Sequence, residues 1–155
     1  MKKFCDVIYL ACKWVIIVFG YFLVGVITIG IISRYVIHRP IIWEYEACIA
    51  LFIWCTFLGA ATCFRDKQHV AFGMLVGVMP QSLRNLVLAF KNIMIILVLI
   101  AGMYYGRIVV DSTWFIEYQT IPFSLSFSYA ALPVGFLISL LFVIENIVAN
   151  GISAE

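Results

Sequence analysis

The sequence predicts an all-α integral membrane protein with four transmembrane helices, and two observations predict it. First, 65% of the 155 residues are hydrophobic and only 12% are charged, whereas soluble proteins are about half apolar and a quarter charged. A soluble domain of this size exposes too much of its surface to water to bury so many apolar side chains. Second, the charges stand between long uncharged runs. In lipid such runs form helices, because a helix satisfies its own backbone hydrogen bonds.

The four predicted spans follow from the positions of the charges. A hydrocarbon core of roughly 30 Å needs about 20 helical residues. The third uncharged run is short, so its helix must include Lys91 or Arg107, and Arg107 can pair with Asp111 four residues later. Pro122 and the serines after it predict a loop before the fourth helix. The predicted spans are residues 14–33, 43–64, 88–110 and 128–148 in a single membrane domain.

The distribution of lysine and arginine predicts the orientation of the chain. With the N-terminus inside the cell, seven of these residues lie in the cytoplasmic connections and three lie on the other side. The positive-inside rule therefore places both termini in the cytoplasm. The first apolar run is too long for the core of a secretory signal, and no small-residue cleavage site follows it. It is interpreted as a retained first span in the cell inner membrane.

The connection between spans two and three is predicted to lie along the cytoplasmic face. Residues 65–69 are polar, but residues 70–79 are apolar again and too few to cross the membrane. Pro80 then precedes a helix entry with Ser82 as a possible cap. We expect an interfacial segment here. The alternative is a helical hairpin in which spans two and three simply extend beyond the bilayer.

No enzyme, cofactor site or metal site is indicated. Zinc-protease, nucleophile-elbow and P-loop patterns are absent, and His38 and His69 are predicted at opposite membrane faces, where they cannot share one haem. Five cysteines without a C-x-x-C pair signal neither a disulfide framework nor a zinc site. The net charge of +2 is too small to mark a nucleic-acid partner.

Small residues at helical spacing predict helix packing. Cys48, Cys55 and Cys63 share one face of the second helix with Gly59. A quinone-linked thiol oxidoreductase would need cysteine pairs in loops, so a packing stripe is the favoured interpretation. Small residues four apart let helices approach closely in lipid. The candidate packing residues are Cys55, Gly59, Gly102, Gly106, Ala131 and Gly135.

The strongest polar signal is a charged cluster between spans one and two. Arg34 and Arg39 lie within about a dozen residues of Glu44 and Glu46, with Trp43 at the predicted interface. Three interpretations remain: a clamp between the two spans, a docking surface for a partner, or a proton or sodium relay. A relay would need a carboxylate deeper in the membrane. A clamp or subunit contact is therefore the preferred interpretation.

The order of several short motifs resembles a known family. The motifs are Ser33-Arg34-Tyr35, Trp43-Glu44-Tyr45-Glu46, Trp54 with residues 58–61, Arg65 with His69-Val70, Met79-Pro80, and residues 129–135. Together they resemble the small membrane subunit, or DctQ-like subunit, of tripartite ATP-independent periplasmic (TRAP) transporters, and the resemblance extends from about residue 10 to residue 147. His69 thus joins the charged cluster as a candidate subunit-contact residue.

The resemblance implies a transport function. In such systems a periplasmic substrate-binding protein captures an organic acid anion such as a C4-dicarboxylate or sialic acid. A large membrane subunit carries the substrate and sodium sites, and the small subunit resembles a scaffold that contacts the large subunit and membrane lipid. Two alternatives remain at this stage. One is a membrane thiol or quinone redox protein, and the other is a small self-sufficient multidrug-type exporter, although such exporters have a glutamate in the first span and residues 14–33 have none.

Overall fold

The computed structural model describes residues 2–65 and 81–150 and is all-helical there, apart from one isolated β-bridge between Glu117 and Ser124. The predicted interfacial segment and His69 lie outside these residues. The described helices are α1 (Lys2–Tyr35), α2 (Glu44–Arg65), α3 (Gln81–Ser112), α4 (Leu125–Tyr129) and α5 (Ala131–Asn150). Four stretches are long and apolar enough to cross a membrane: Cys5–Tyr35, Glu44–Arg65, Ala89–Ser112 and Leu125–Ile147.

The ends of the first two helices follow from local chemistry. After Tyr35 the last turn of α1 widens, with the amides of Val36 and Ile37 both donating to the carbonyl of Ile32. His38 then takes a left-handed conformation with φ 59°, and Pro40 has no N–H to continue a helix. Helix α2 begins with Glu44 and Glu46 in its first turn, where negative charge is favoured by the helix dipole.

The fourth span is divided at Ala130, whereas the sequence predicted one helix from residue 128. Ser124 caps α4, since its hydroxyl accepts from the amide of Ser126 at 3.2 Å. Pro133 lies in the first turn of α5, where its missing N–H is tolerated. In a continuous helix the amide at position 133 would donate to the carbonyl of Tyr129. Proline has no N–H to make this bond, so the break falls between α4 and α5.

The helices pack as a row in the order α1, α2, α5, α3. Among the described residues neither α1 nor α2 packs extensively on α3, and α1 touches α5 only slightly. Few side chains are fully buried; Phe142 and Ala61 are examples. Most large apolar side chains of α1 and α3 are exposed, as expected for surfaces that lie in lipid or against another subunit.

Candidate functional sites at the two ends of the helix row

Glu44 joins the first two spans at the end of the row formed by residues 33–46 and 112–125, here called the Glu44 end. Its carboxylate lies 3.8 Å from the guanidinium of Arg34, and only 15% of its side chain is exposed. The carboxylate also lies directly over Gly30 of α1, in space that a β-carbon at that position would occupy. A glycine one turn before Arg34 therefore lets the carboxylate pass close to α1.

Arg39 and Trp43 occupy more open positions at the same end. The side chain of Arg39 is exposed and forms no ion pair within the described part of the chain, while its carbonyl accepts from the hydroxyl of Ser33. Trp43 immediately precedes α2, is 45% exposed, and its carbonyl accepts from the amide of Ala47. The structure thus brings Arg34 and Glu44 together but leaves Arg39 and Trp43 at the surface.

Glu46 binds the loop between α3 and α4, which lies more than 70 residues away in sequence. Its carboxylate accepts from the amides of Gln119 (3.0 Å), Thr120 (3.1 and 3.2 Å) and Ile121 (3.1 Å), and from the Thr120 hydroxyl at 3.3 Å. Three successive amides that point at one anion form a small anion-binding concavity. Here an internal carboxylate fills it. Sequence reasoning grouped Glu46 with α1, and no local pattern pointed to the distant loop.

Hydroxyl groups order the same loop from within. Tyr118 and Ser128 share a hydrogen bond of 2.7 Å between their hydroxyls, and Ser126 donates to the carbonyl of Val110 at 2.8 Å. Ser126 and Ser128 are buried at 2% and 0% exposure. Trp54 of α2 adds a further tie, because its indole N–H donates to the carbonyl of Phe127 at 3.2 Å. The loop is therefore attached to α4, and α4 is attached to both α2 and α3.

The candidate packing residues fall into two groups. A β-carbon on Gly102 would lie 2.8 Å from the ring of Phe136, and one on Gly135 would lie 2.8 Å from Cβ of Phe57. Gly106 lies against Leu132 and Pro133, and Ala131 is 1% exposed, so these residues face neighbouring helices of the same chain. Gly59 has open space around its α-carbon, and Cys55 is only partly buried.

The cysteines do not form a redox pair or a metal site in the described residues. All five are free thiols. Within residues 2–65 and 81–150, no three His, Cys, Asp or Glu side chains are grouped so that they could hold a metal ion.

Arg65 forms a cluster that sequence reasoning missed, at the opposite end of the row. Its guanidinium pairs with Asp6 of α1, lies 3.5 Å from the carboxylate of Glu145 in α5, and donates to the carbonyl of Cys5 at 3.2 Å. It also lies over the ring of Tyr9, 4.8 Å from its centroid. We call Arg65, Asp6 and Glu145 the Arg65 cluster. It joins three helices through residues up to 139 positions apart in sequence, so no spacing signal predicts it.

Comparison with known proteins identifies the family. The sequence profile of the DctQ component of tripartite ATP-independent periplasmic transporters matches residues 23–150. The chain belongs to this family. The DctQ match includes Arg34, Glu44, Glu46, Arg65 and Glu145, whereas Asp6 precedes it. The predicted resemblance is confirmed, and the chain is a non-enzymatic component of a transporter that contains other subunits.

A curated relative supports the DctQ assignment. The chain is 28% identical over 82 residues to the sialic acid TRAP transporter permease protein SiaT of Haemophilus influenzae (strain 86-028NP). The aligned part is 53% of this chain but only 13% of that protein. The chain thus matches about an eighth of the length of this relative. The family match also favours a transporter component over the redox protein and the self-sufficient exporter.

Proposed function

We propose that this DctQ chain is the small scaffold subunit of a sodium-driven TRAP transporter. It would pack beside a large membrane subunit that works with a periplasmic substrate-binding protein. One observation carries the proposal: residues 14–33, 47–64, 92–106 and 118–144 contain no Asp, Glu, Lys or Arg. Groups that bind or relay ions within a membrane are usually ionisable side chains facing a protected interior. A subunit without them is suited to support transport rather than to hold the cargo.

The open arrangement of the helices supports a scaffold role. A row of helices presents two broad faces and two edges, and α1 and α3 stand at those edges with largely exposed apolar side chains. Tight packing in lipid depends on van der Waals contact between helices. We propose that the large subunit covers part of this surface and that lipid covers the rest. Gly59, which has open space around it, is a candidate contact on α2.

The proposed cargo is an organic acid anion. The match to a sialic acid permease supports sialic acid, and the family resemblance supports C4-dicarboxylates as well. The sequence of this chain does not choose between them.

We propose that the chain lies in the cell inner membrane with both termini in the cytoplasm and residues 70–79 along the cytoplasmic face. The seven-to-three distribution of lysine and arginine supports this orientation.

An alkaline phosphatase fused after Glu155 is therefore expected to be inactive, and one inserted between His38 and Arg39 is expected to be active. The reverse pattern would contradict the orientation.

Co-purification tests the proposed assembly. When the transporter genes are expressed together, a tag on this chain is expected to bring the large membrane subunit out of detergent-solubilised membranes in a fixed ratio. The matched control carries the same tag on an unrelated four-span protein. Recovery of this chain alone from gently solubilised membranes would contradict the scaffold assignment.

A further inference from the structure

Three successive apolar residues project from the loop after α3. Trp114 is 63% exposed, Phe115 92% and Ile116 50%. We call residues 114–116 the tip. An exposed cluster of this kind in water would be unfavourable, so its surroundings need a specific account.

Hydrogen bonds hold the backbone of the tip in place. The amide of Ile116 donates to the carbonyl of Thr113 at 3.1 Å, and the Ser124 hydroxyl donates to the carbonyl of Trp114 at 2.9 Å. The carbonyl of Ile116 in turn accepts from the amide of Leu125 at 2.8 Å. Together with the bonds from Glu46 to residues 119–121, these contacts fix the direction in which the tip projects.

The charges of α3 locate the tip relative to the membrane. Lys91 and Asp111 are 20 residues apart, which is about 30 Å along a helix and equals the thickness of the hydrocarbon core. Arg107 and Asp111 are both strongly exposed, at 83% and 72% of their side chains, as expected at the boundary of that core. The tip begins three residues after Asp111. In a helix that runs along the membrane normal, this spacing places the tip in the headgroup layer, which is roughly 6 Å thick on each side.

The tip also continues an exposed surface of α3. Tyr104, Tyr105 and Ile108 in the last turns of α3 are 65%, 66% and 46% exposed. Helix α3 stands at the edge of the row, where, among the described residues, α4 and α5 are the elements that pack extensively against it. Tryptophan and tyrosine favour the headgroup layer, because their rings are amphipathic.

We propose that the tip is an interfacial anchor whose occupant is phospholipid, with Trp114 and Phe115 inserted among the headgroups and upper acyl chains. Glu46 acts as a positioning residue, because it holds the loop that presents the tip. The proposal concerns contact with lipid and does not depend on the scaffold role or on which side of the membrane the tip occupies.

Photocrosslinking in whole membranes tests the proposal. A benzophenone-bearing amino acid replaces Phe115, whose exposure makes the change tolerable for the fold, and the complete transporter is expressed. Irradiation is expected to give adducts with the mass of a phospholipid. Adducts to another protein subunit, or no adduct at all, would overturn the proposal. The same amino acid at the buried Phe142 is the control and is expected to give no lipid adduct.

A second arm tests the role of Glu46. Glu46→Gln in the crosslinking background is expected to lower the yield of lipid adduct severalfold, since the neutral amide binds the loop amides more weakly than a carboxylate does. Glu117→Gln is the matched control on the same loop, where the exposed side chain makes no hydrogen bond or ion pair in the described residues. An equal yield from both variants would remove Glu46 from the proposal.

Brominated phospholipids give an independent test of the tip. In a variant that keeps Trp114 as its single tryptophan, they should quench its fluorescence more than aqueous acrylamide does.

Discussion

Replacing Arg65 with alanine is expected to lower the free energy of unfolding by about 3 kcal/mol, because breaking a mostly buried ion pair leaves its partner without a cation. The side chains of Arg65 and Glu145 are only 19% and 11% exposed. Glu145 lies near the end of the fourth span, where an uncompensated carboxylate is costly. The alanine also removes the ring contact to Tyr9 and the bond to the Cys5 carbonyl. Thermal or sodium dodecyl sulfate unfolding in mild detergent measures the change.

Arg107→Ala is the matched control for Arg65→Ala. Arg107 lies 3.9 Å from Asp111 on one helix, and both side chains are strongly exposed. Such a pair contributes about 0.5 kcal/mol or less. Arg65→Lys should fall between the two, because lysine keeps the charge but lacks the planar fork that reaches several acceptors. Equal losses for Arg65→Ala and Arg107→Ala would show that the Arg65 cluster does not hold the three helices together.

Replacing Glu46 with alanine is expected to release the loop between α3 and α4. The amides of Gln119, Thr120 and Ile121 lose their only acceptor in the described residues. Loss of hydrogen bonds to a charged group costs about 1.5–3 kcal/mol, so exchange of these amides with deuterium should become at least roughly tenfold faster. Hydrogen–deuterium exchange measured by mass spectrometry on peptides covering residues 117–123 reports the change directly.

Glu117→Ala is the control for the exchange experiment, since it removes from the same loop a carboxylate to which none of these three amides donates. Its exchange rates should match those of the unchanged protein. If Glu46→Ala also leaves the rates unchanged, the carboxylate does not hold the loop.

The observed bonds bear on the relay interpretation as well. Glu46 is occupied by loop amides and Glu44 faces Arg34, so neither carboxylate lies in a continuous chain of ionisable groups among the described residues.

The amino-acid sequence predicted those features that depend on neighbouring residues. The all-helical class and the four candidate spans follow from uncharged runs. The short third run required a helix that includes Lys91 or Arg107, and α3 includes both. The pairing of Arg107 with Asp111 was also predicted correctly, because residues four apart share a helix face.

Long-range contacts were not predictable in the same way. Apolar spans carry little information about which neighbour each face will meet, so the row order could not be read from the sequence. Glycines illustrate this limit. Gly59 and Gly102 were both predicted as packing positions. Among the described residues Gly102 lies against the ring of Phe136, whereas Gly59 has open space around it and its contact stays a prediction. The partners of Glu46 and Arg65 lie 59 to 80 positions away in sequence. The position of a charge near the end of a span does not predict which distant residue it will contact.

Uptake by reconstituted vesicles tests the central claim most directly. A labelled organic acid anion that the complete transporter accumulates under a sodium gradient is presented to two sets of vesicles. One set contains this chain alone, and the other contains this chain with the large subunit and the binding protein. The scaffold account predicts uptake only in the second set, with the first set equal to empty vesicles. Sodium-dependent uptake by vesicles that contain this chain alone would contradict the account.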